Sequence, residues 1–184
     1  MIRFSHVDAG YPNKRVFQDL SLTLPDSGAA ALMAPSGYGK TTLLRLLAGL
    51  LKPEAGEITG LNFQKPAFLF QEDRLLPWLT AEKNVSLVSD IETARSWLET
   101  MEITEIAKRP HEMSGGMQRR VALARAMAYQ GDFLLLDEPF KGLDEALRGR
   151  IAERIRDKAK LTVLSIHDPA EAELMGAAIL RLDS

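Results

Sequence analysis

One eight-residue segment limits what this chain can fold into more than any other. Ala34-Pro35-Ser36-Gly37-Tyr38-Gly39-Lys40-Thr41 joins an apolar run at 29–33 to an apolar stretch at 43–50. The spacing is that of the phosphate-binding P-loop, with Ala34 where the pattern usually carries Gly. Gly37 and Gly39 lack a Cβ, so the loop can turn its backbone N–H groups inward around an anion. Lys40 places an ammonium on the β- and γ-phosphates, Thr41 offers a hydroxyl to Mg²⁺, and Thr42 continues the same face. The helix that follows aims the positive end of its dipole at the same point. A Cβ at Ala34 is tolerable there as long as φ stays negative. The bland alternative is a Gly-rich turn between a strand and a helix.

A loop of this kind needs a strand before it and a buried helix after it, and the flanking pattern supplies both. Residues 2–7 and 16–24 alternate apolar and polar side chains and read as strands. The stretch 43–50 is apolar almost all round, as in a buried helix. Pro53, Gly56 and Gly60 punctuate a turn-rich connection before a strand candidate at 67–70. From 80 to 108 the composition turns helical, and Pro110 stops it. Ser114 caps a further helix whose stripe is Met117, Val121, Ala124 and Ala128. Residues 133–136 are continuously apolar, the mark of a strand buried on both faces of a parallel sheet. Asp144 caps a helix facing inward through Leu147, Ile151 and Ile155; strands at 161–166 and 178–182 flank a short helix from Pro169. This order argues α/β with a mainly parallel core. The expected division is one domain over 1–184, with a core of 1–71 and 130–184 and an inserted helical subdomain at 72–129.

Two carboxylates, Asp137 and Glu138, stand where the 133–136 strand emerges. Asp137 suits a Mg²⁺ shell, and Glu138 can polarise an attacking water as general base. Ser114, Gly115 and Gly116 form a second helix N-terminus able to receive an anion. On its own it reads as a simple N-cap.

With these residues in view, the chain resembles the ATP-binding subunits of ABC transporters. Met113-Ser114-Gly115-Gly116-Met117 is similar to the family's signature motif, with Met117 in place of the usual Gln and Gln118 next to it. Gln71 resembles the Q-loop glutamine, Asp144 the D-loop aspartate, His167 the switch histidine and Tyr11 the adenine-stacking aromatic. With the P-loop and the Asp137–Glu138 pair, seven elements follow the family's order along nearly the whole chain. The resemblance implies a P-loop NTPase fold with a RecA-like core, N-terminal antiparallel strands and a helical insert. It implies ATP and Mg²⁺, with Thr41, Gln71 and Asp137 toward the metal and Glu138, His167, Lys40 and Gln71 in hydrolysis. It also implies a head-to-tail pair, a homodimer by expectation, in which the signature motif closes on the partner's ATP. Further partners would be a membrane permease and, indirectly, a substrate-binding protein. The location would be cytoplasmic, peripheral on the inner face of the cell membrane. The run from Phe70 to Trp78 looks like importers of the nitrate, sulfonate and taurine group.

Composition removes several other classes. The 184 residues carry 23 basic and 25 acidic side chains, so nothing suggests nucleic acid as a partner. The chain has no Cys, which excludes a disulfide framework and thiolate metal sites. No apolar run approaches the roughly 20 residues of a membrane span. His6 and His111 match no motif and read as structural. Leu75-Leu76-Pro77-Trp78-Leu79 is either an apolar face for a partner or packing within the helical subdomain. Two functional alternatives stay open: an ABC-type ATPase with a soluble partner, and a P-loop kinase, in which the Ser-Gly-Gly motif and His167 would have no role.

Overall fold

The computed structural model describes residues 1–63 and 65–182. Two sheets carry the chain. β1 (Ile2–Tyr11), β2 (Lys14–Leu24) and β4 (Ala55–Thr59) form an antiparallel sheet in the order β2-β1-β4. β3 (Gly28–Met33), β5 (Pro66–Leu69), β6 (Phe133–Asp137), β7 (Leu161–Ile166) and β8 (Ala178–Arg181) form a sheet in the order β5-β6-β7-β3-β8. Every pairing in it is parallel. β6 and β7 are buried along their whole length, as expected where helices cover both faces. The expectation of a P-loop NTPase fold with antiparallel N-terminal strands therefore holds.

Three local expectations need correction. The connection at 53–60 is partly a strand, β4, because Glu57, Ile58 and Thr59 alternate beside β1. Gly56 makes that approach feasible: at φ 75° a Cβ would lie 2.2 Å from the His6 carbonyl oxygen. The helix after the phosphate loop, α1 (Lys40–Leu47), starts earlier and ends earlier than the apolar stretch 43–50. Gly49, at φ 69°, turns the chain out of the helix and leaves Leu50 exposed. Leu43, Leu44, Leu46 and Leu47 are buried between the sheets. Each contributes about 1.5–3 kcal/mol by leaving water.

The helical reading of 80–108 is also too long. It breaks into α2 (Ala81–Val85), capped by Thr80, and α3 (Ile91–Thr100), capped by Asp90. A turn of 3-10 helix at Pro110–Glu112 precedes α4 (Gly115–Ala128). α2, α3 and α4 share one apolar cluster that includes Val85, Leu98, Met101 and Val121. α5 (Glu145–Ile155) and α6 (Pro169–Met175) complete the fold. Asp144 caps α5 as expected, its Oδ1 accepting from the Leu147 N–H at 2.9 Å.

Candidate active site

The carboxyl ends of β3 and β6 open on a single cleft of about 240 Å³. This is where a parallel α/β sheet places its ligands. From the phosphate loop, Ser36, Gly37, Gly39, Lys40, Thr41 and Thr42 line it. Tyr11, Gln71, Asp137 and Glu138 close its other sides. Gly39 cannot be replaced without strain: φ is 92° and a Cβ would lie 2.6 Å from the Phe17 ring. Ala34 is not among the residues with positive φ, so its methyl group fits the loop.

Lys40 is buried, and its Nζ donates to the carbonyls of Ala34 at 2.5 Å and Pro35 at 3.3 Å. Burial lowers its pKa, and Glu138 and Asp137 partly oppose that. Tyr38 does not line the cleft and is exposed. Tyr11 stands at the cleft's outer edge, its hydroxyl accepting from Arg45 Nη1 at 2.7 Å.

Facing the loop, Thr41 Oγ1 donates to Asp137 Oδ2 at 2.7 Å. The other oxygen of Asp137 accepts from Ser165 Oγ at 2.6 Å. This pair of hard oxygen donors suits Mg²⁺, which takes carboxylate, hydroxyl and water ligands. Glu138 is ringed by polar groups. Gln71 Nε2 donates to its Oε1 at 3.3 Å, and His167 Nε2 lies 2.8 Å from the same oxygen. Lys141 Nζ is 3.4 Å from Oε2. Burial alone would raise the Glu138 carboxyl, but His167 and Lys141 together hold it below the usual range. It is thus an anion, able to accept a proton.

Ser114, Gly115, Gly116 and Asp144 do not line this cleft. Ser114 and Gly115 are exposed at the start of α4, where Ser114 Oγ accepts from the Met117 N–H at 3.2 Å. Gly116 packs on the segment before α5, where a Cβ would come within 3.2 Å of the Gly142 carbonyl oxygen. Gln118 does not stand in for the Gln missing at Met117. Its amide donates back to the carbonyls of Pro110 and Met113. Sequence reasoning missed Arg45, Lys141, Ser165 and Arg119. Only Ser165 left a signal, as the one residue besides Thr162 that interrupts an apolar strand.

A phosphate loop on a parallel sheet, with a carboxylate pair opposite, defines a P-loop nucleotide hydrolase. The sequence profile described as ABC transporter matches residues 17–141. The aliphatic sulfonates import ATP-binding protein SsuB 1 of Rhodococcus jostii is 40% identical over 184 residues, covering 94% of this chain and 75% of that protein. The taurine import ATP-binding protein TauB of Pseudomonas aeruginosa is 36% identical over 190 residues, covering 92% and 72%. Among solved structures, the dimeric post-hydrolysis state of the ATP-binding cassette MJ0796 bound to ADP and Pi superposes with a TM-score of 0.87 at 26% identity. That match covers 99% of this chain and 94% of that one. The chain belongs to the ABC transporter family, as one of its ATP-hydrolysing cassettes.

Proposed function

We propose that this cassette powers an importer of the sulfonate and taurine kind, working as a head-to-tail homodimer on the cytoplasmic face of a membrane permease that a substrate-binding protein supplies. Relatives named for sulfonate and taurine import support the class. No helix among the described residues is long and apolar enough to cross a membrane, so passage itself would fall to the permease. Trp78 is 66% exposed beside the half-buried Leu75, Leu76 and Leu79, which favours a partner-facing role for that turn over core packing. The chain is read as one unit over 1–184, with 72–129 as the helical subdomain.

In the hydrolytic step, ATP lies with its phosphates in the loop and its adenine against Tyr11. Pro35, Ser36, Gly37, Tyr38 and Gly39 shape the loop around the phosphates, and Ala34 anchors its first turn. Thr41, Asp137 and Gln71 are the groups that would hold Mg²⁺, which neutralises charge on the phosphate oxygens when bound. A water attacks the γ-phosphorus in line and gives its proton to Glu138, while the bond to the β-phosphate oxygen breaks and ADP departs. His167, on the same Glu138 oxygen, orients that carboxylate and senses the γ-phosphate. Lys40 stabilises the transferring charge. Ser114, Gly115 and Gly116 of one chain close on the ATP of the other, with Asp144 at the junction.

The observation that carries this reading is the meeting of Gln71, His167 and Lys141 on the single carboxylate of Glu138. Glu138→Gln is expected to lower turnover by about a hundredfold or more while sparing ATP affinity. Turnover near that of the unaltered chain would remove Glu138 from the base role. Recovery of a polytopic membrane protein with the tagged chain, from detergent-solubilised native membranes, would support the transport reading. Recovery of soluble partners alone would contradict it.

A further inference from the structure

The residue that holds Glu138 in place comes from the helix that begins at Ser114. Arg119 lies just over one turn into α4, is 3% exposed, and spends its whole guanidinium on two neighbouring segments. Nη1 donates to the Phe70 carbonyl at 2.7 Å and to Asp73 Oδ1 at 2.8 Å, on either side of Gln71. Nη2 donates to the carbonyls of Asp137 and Glu138, and Nε donates to the Glu138 carbonyl at 3.2 Å. One cation thus joins the Gln71 segment to the end of β6. Asp73 balances its charge, as a buried guanidinium requires.

Glu138 needs such support because of its backbone. Its φ is 51°, in the left-handed region that side-chain-bearing residues seldom enter unless their surroundings over-determine them. Its N–H donates to Ser165 Oγ at 2.9 Å, and the same hydroxyl donates to Asp137 Oδ1 at 2.6 Å. Its C=O is taken by Arg119. The peptide groups on both sides of this residue are therefore fixed from outside β6, Ser165 from β7 and Arg119 from α4. A rotation of either peptide would swing the carboxylate away from Gln71 and His167.

We propose that Arg119, with Ser165 opposite it, is a positioning residue for hydrolysis: it fixes the Glu138 main chain and the Gln71 segment from the helix that also presents Ser114. This rests on Glu138 being the base. A shift of α4 at its Ser114 end is then carried within two turns to the main chain of Glu138, with no change at the phosphate loop. Arg119 touches neither Lys40 nor Thr41, so its loss should leave the affinity for ATP measured without Mg²⁺ within about twofold.

The test compares Arg119→Met, Arg119→Lys, Ser165→Ala and Glu138→Gln in the full chain, reading kcat, KM, ATP affinity by equilibrium binding without Mg²⁺, and melting temperature. Arg119→Met is expected to lose about tenfold to a hundredfold in kcat with ATP affinity within about twofold, the scale seen when supporting partners of catalytic groups are removed. Arg119→Lys keeps the charge opposite Asp73 but cannot fork across two segments, so an intermediate kcat is expected. Ser165→Ala frees the Glu138 N–H and also the Asp137 Oδ1 that the same hydroxyl holds, and a fall in kcat is expected there too. Should Arg119→Met fail to fold, the other two carry the test. Unaltered kcat in both Arg119→Lys and Ser165→Ala, with Glu138→Gln inactive, overturns the proposal. A fall in ATP affinity matching the fall in kcat also overturns it. Activity retained in Glu138→Gln overturns the base assignment instead.

Discussion

The phosphate loop and the signature segment both stand at helix N-termini able to receive an anion, yet they are built differently. Around the loop Lys40, Thr41 and Asp137 are each held within the chain: Lys40 on two carbonyls, Thr41 on Asp137, Asp137 on Ser165. In the signature segment Ser114 Oγ accepts from the Met117 N–H and stands exposed, and the first glycine has open space where a side chain would be. A site finished within one chain works on its own ligand. A site left open at an exposed helix end is finished by something else, and the dimeric cassettes among the solved structures point to a second copy. On the proposed reading, binding is thereby separated from hydrolysis, which would wait for the second half of the site.

The comparison can be broken most sharply at the loop. Lys40→Ala is expected to cost at least about a hundredfold in turnover, as with loss of other groups that stabilise transition-state charge; a steady-state ATPase assay checks it. Ser114→Arg, at the exposed site, should abolish ATP-dependent pairing while the chain's own ATP affinity stays within about twofold, measured by equilibrium nucleotide binding. A parallel loss of affinity would mean that the two sites are not independent. Gly39→Ala should destabilise the loop by about 1–3 kcal/mol, because it adds a Cβ at positive φ against Phe17; denaturant melts read that loss.

The smallest effect concerns the seat of the helical subdomain. The Arg150 guanidinium, hydrogen-bonded to Glu102, outweighs the opposing effect of burial, and Arg154 adds to it; together they hold the carboxyl below its usual 4.5. A lowered folded pKa means that this contribution to stability is complete above 4.5 and is lost as pH falls through the folded value. The stability gap between the unaltered chain and Glu102→Gln should therefore close on acidification below 4.5. A gap that stays constant there would show that the carboxylate charge is not what matters.

Much of this is legible in the residue pattern. The P-loop residues, the carboxylate pair, the buried strand β6 and the strand β7 are local patterns, so sequence spacing carries them. The extent of the helices was not, because Gly49 and the turn at 86–90 end α1 and α2 against apolar periodicity that continues beyond them. β4 was hidden by its glycine, which reads as a turn residue until the His6 backbone is placed against it. Arg119 was illegible for a different reason. α4 carries Arg119, Arg120 and Arg125 in close succession, and only the fold decides which guanidinium is buried on β6. Asp144 was legible as a cap, and its bond to the Leu147 N–H is in place.

The most direct test of a site completed between chains is sedimentation of the Glu138→Gln chain with and without ATP, beside the same chain carrying Ser114→Arg. The expected result is a dimer with ATP for Glu138→Gln alone, and a monomer for the double variant at ATP concentrations where both chains bind nucleotide. A double variant that dimerises as readily as the single one would contradict the account.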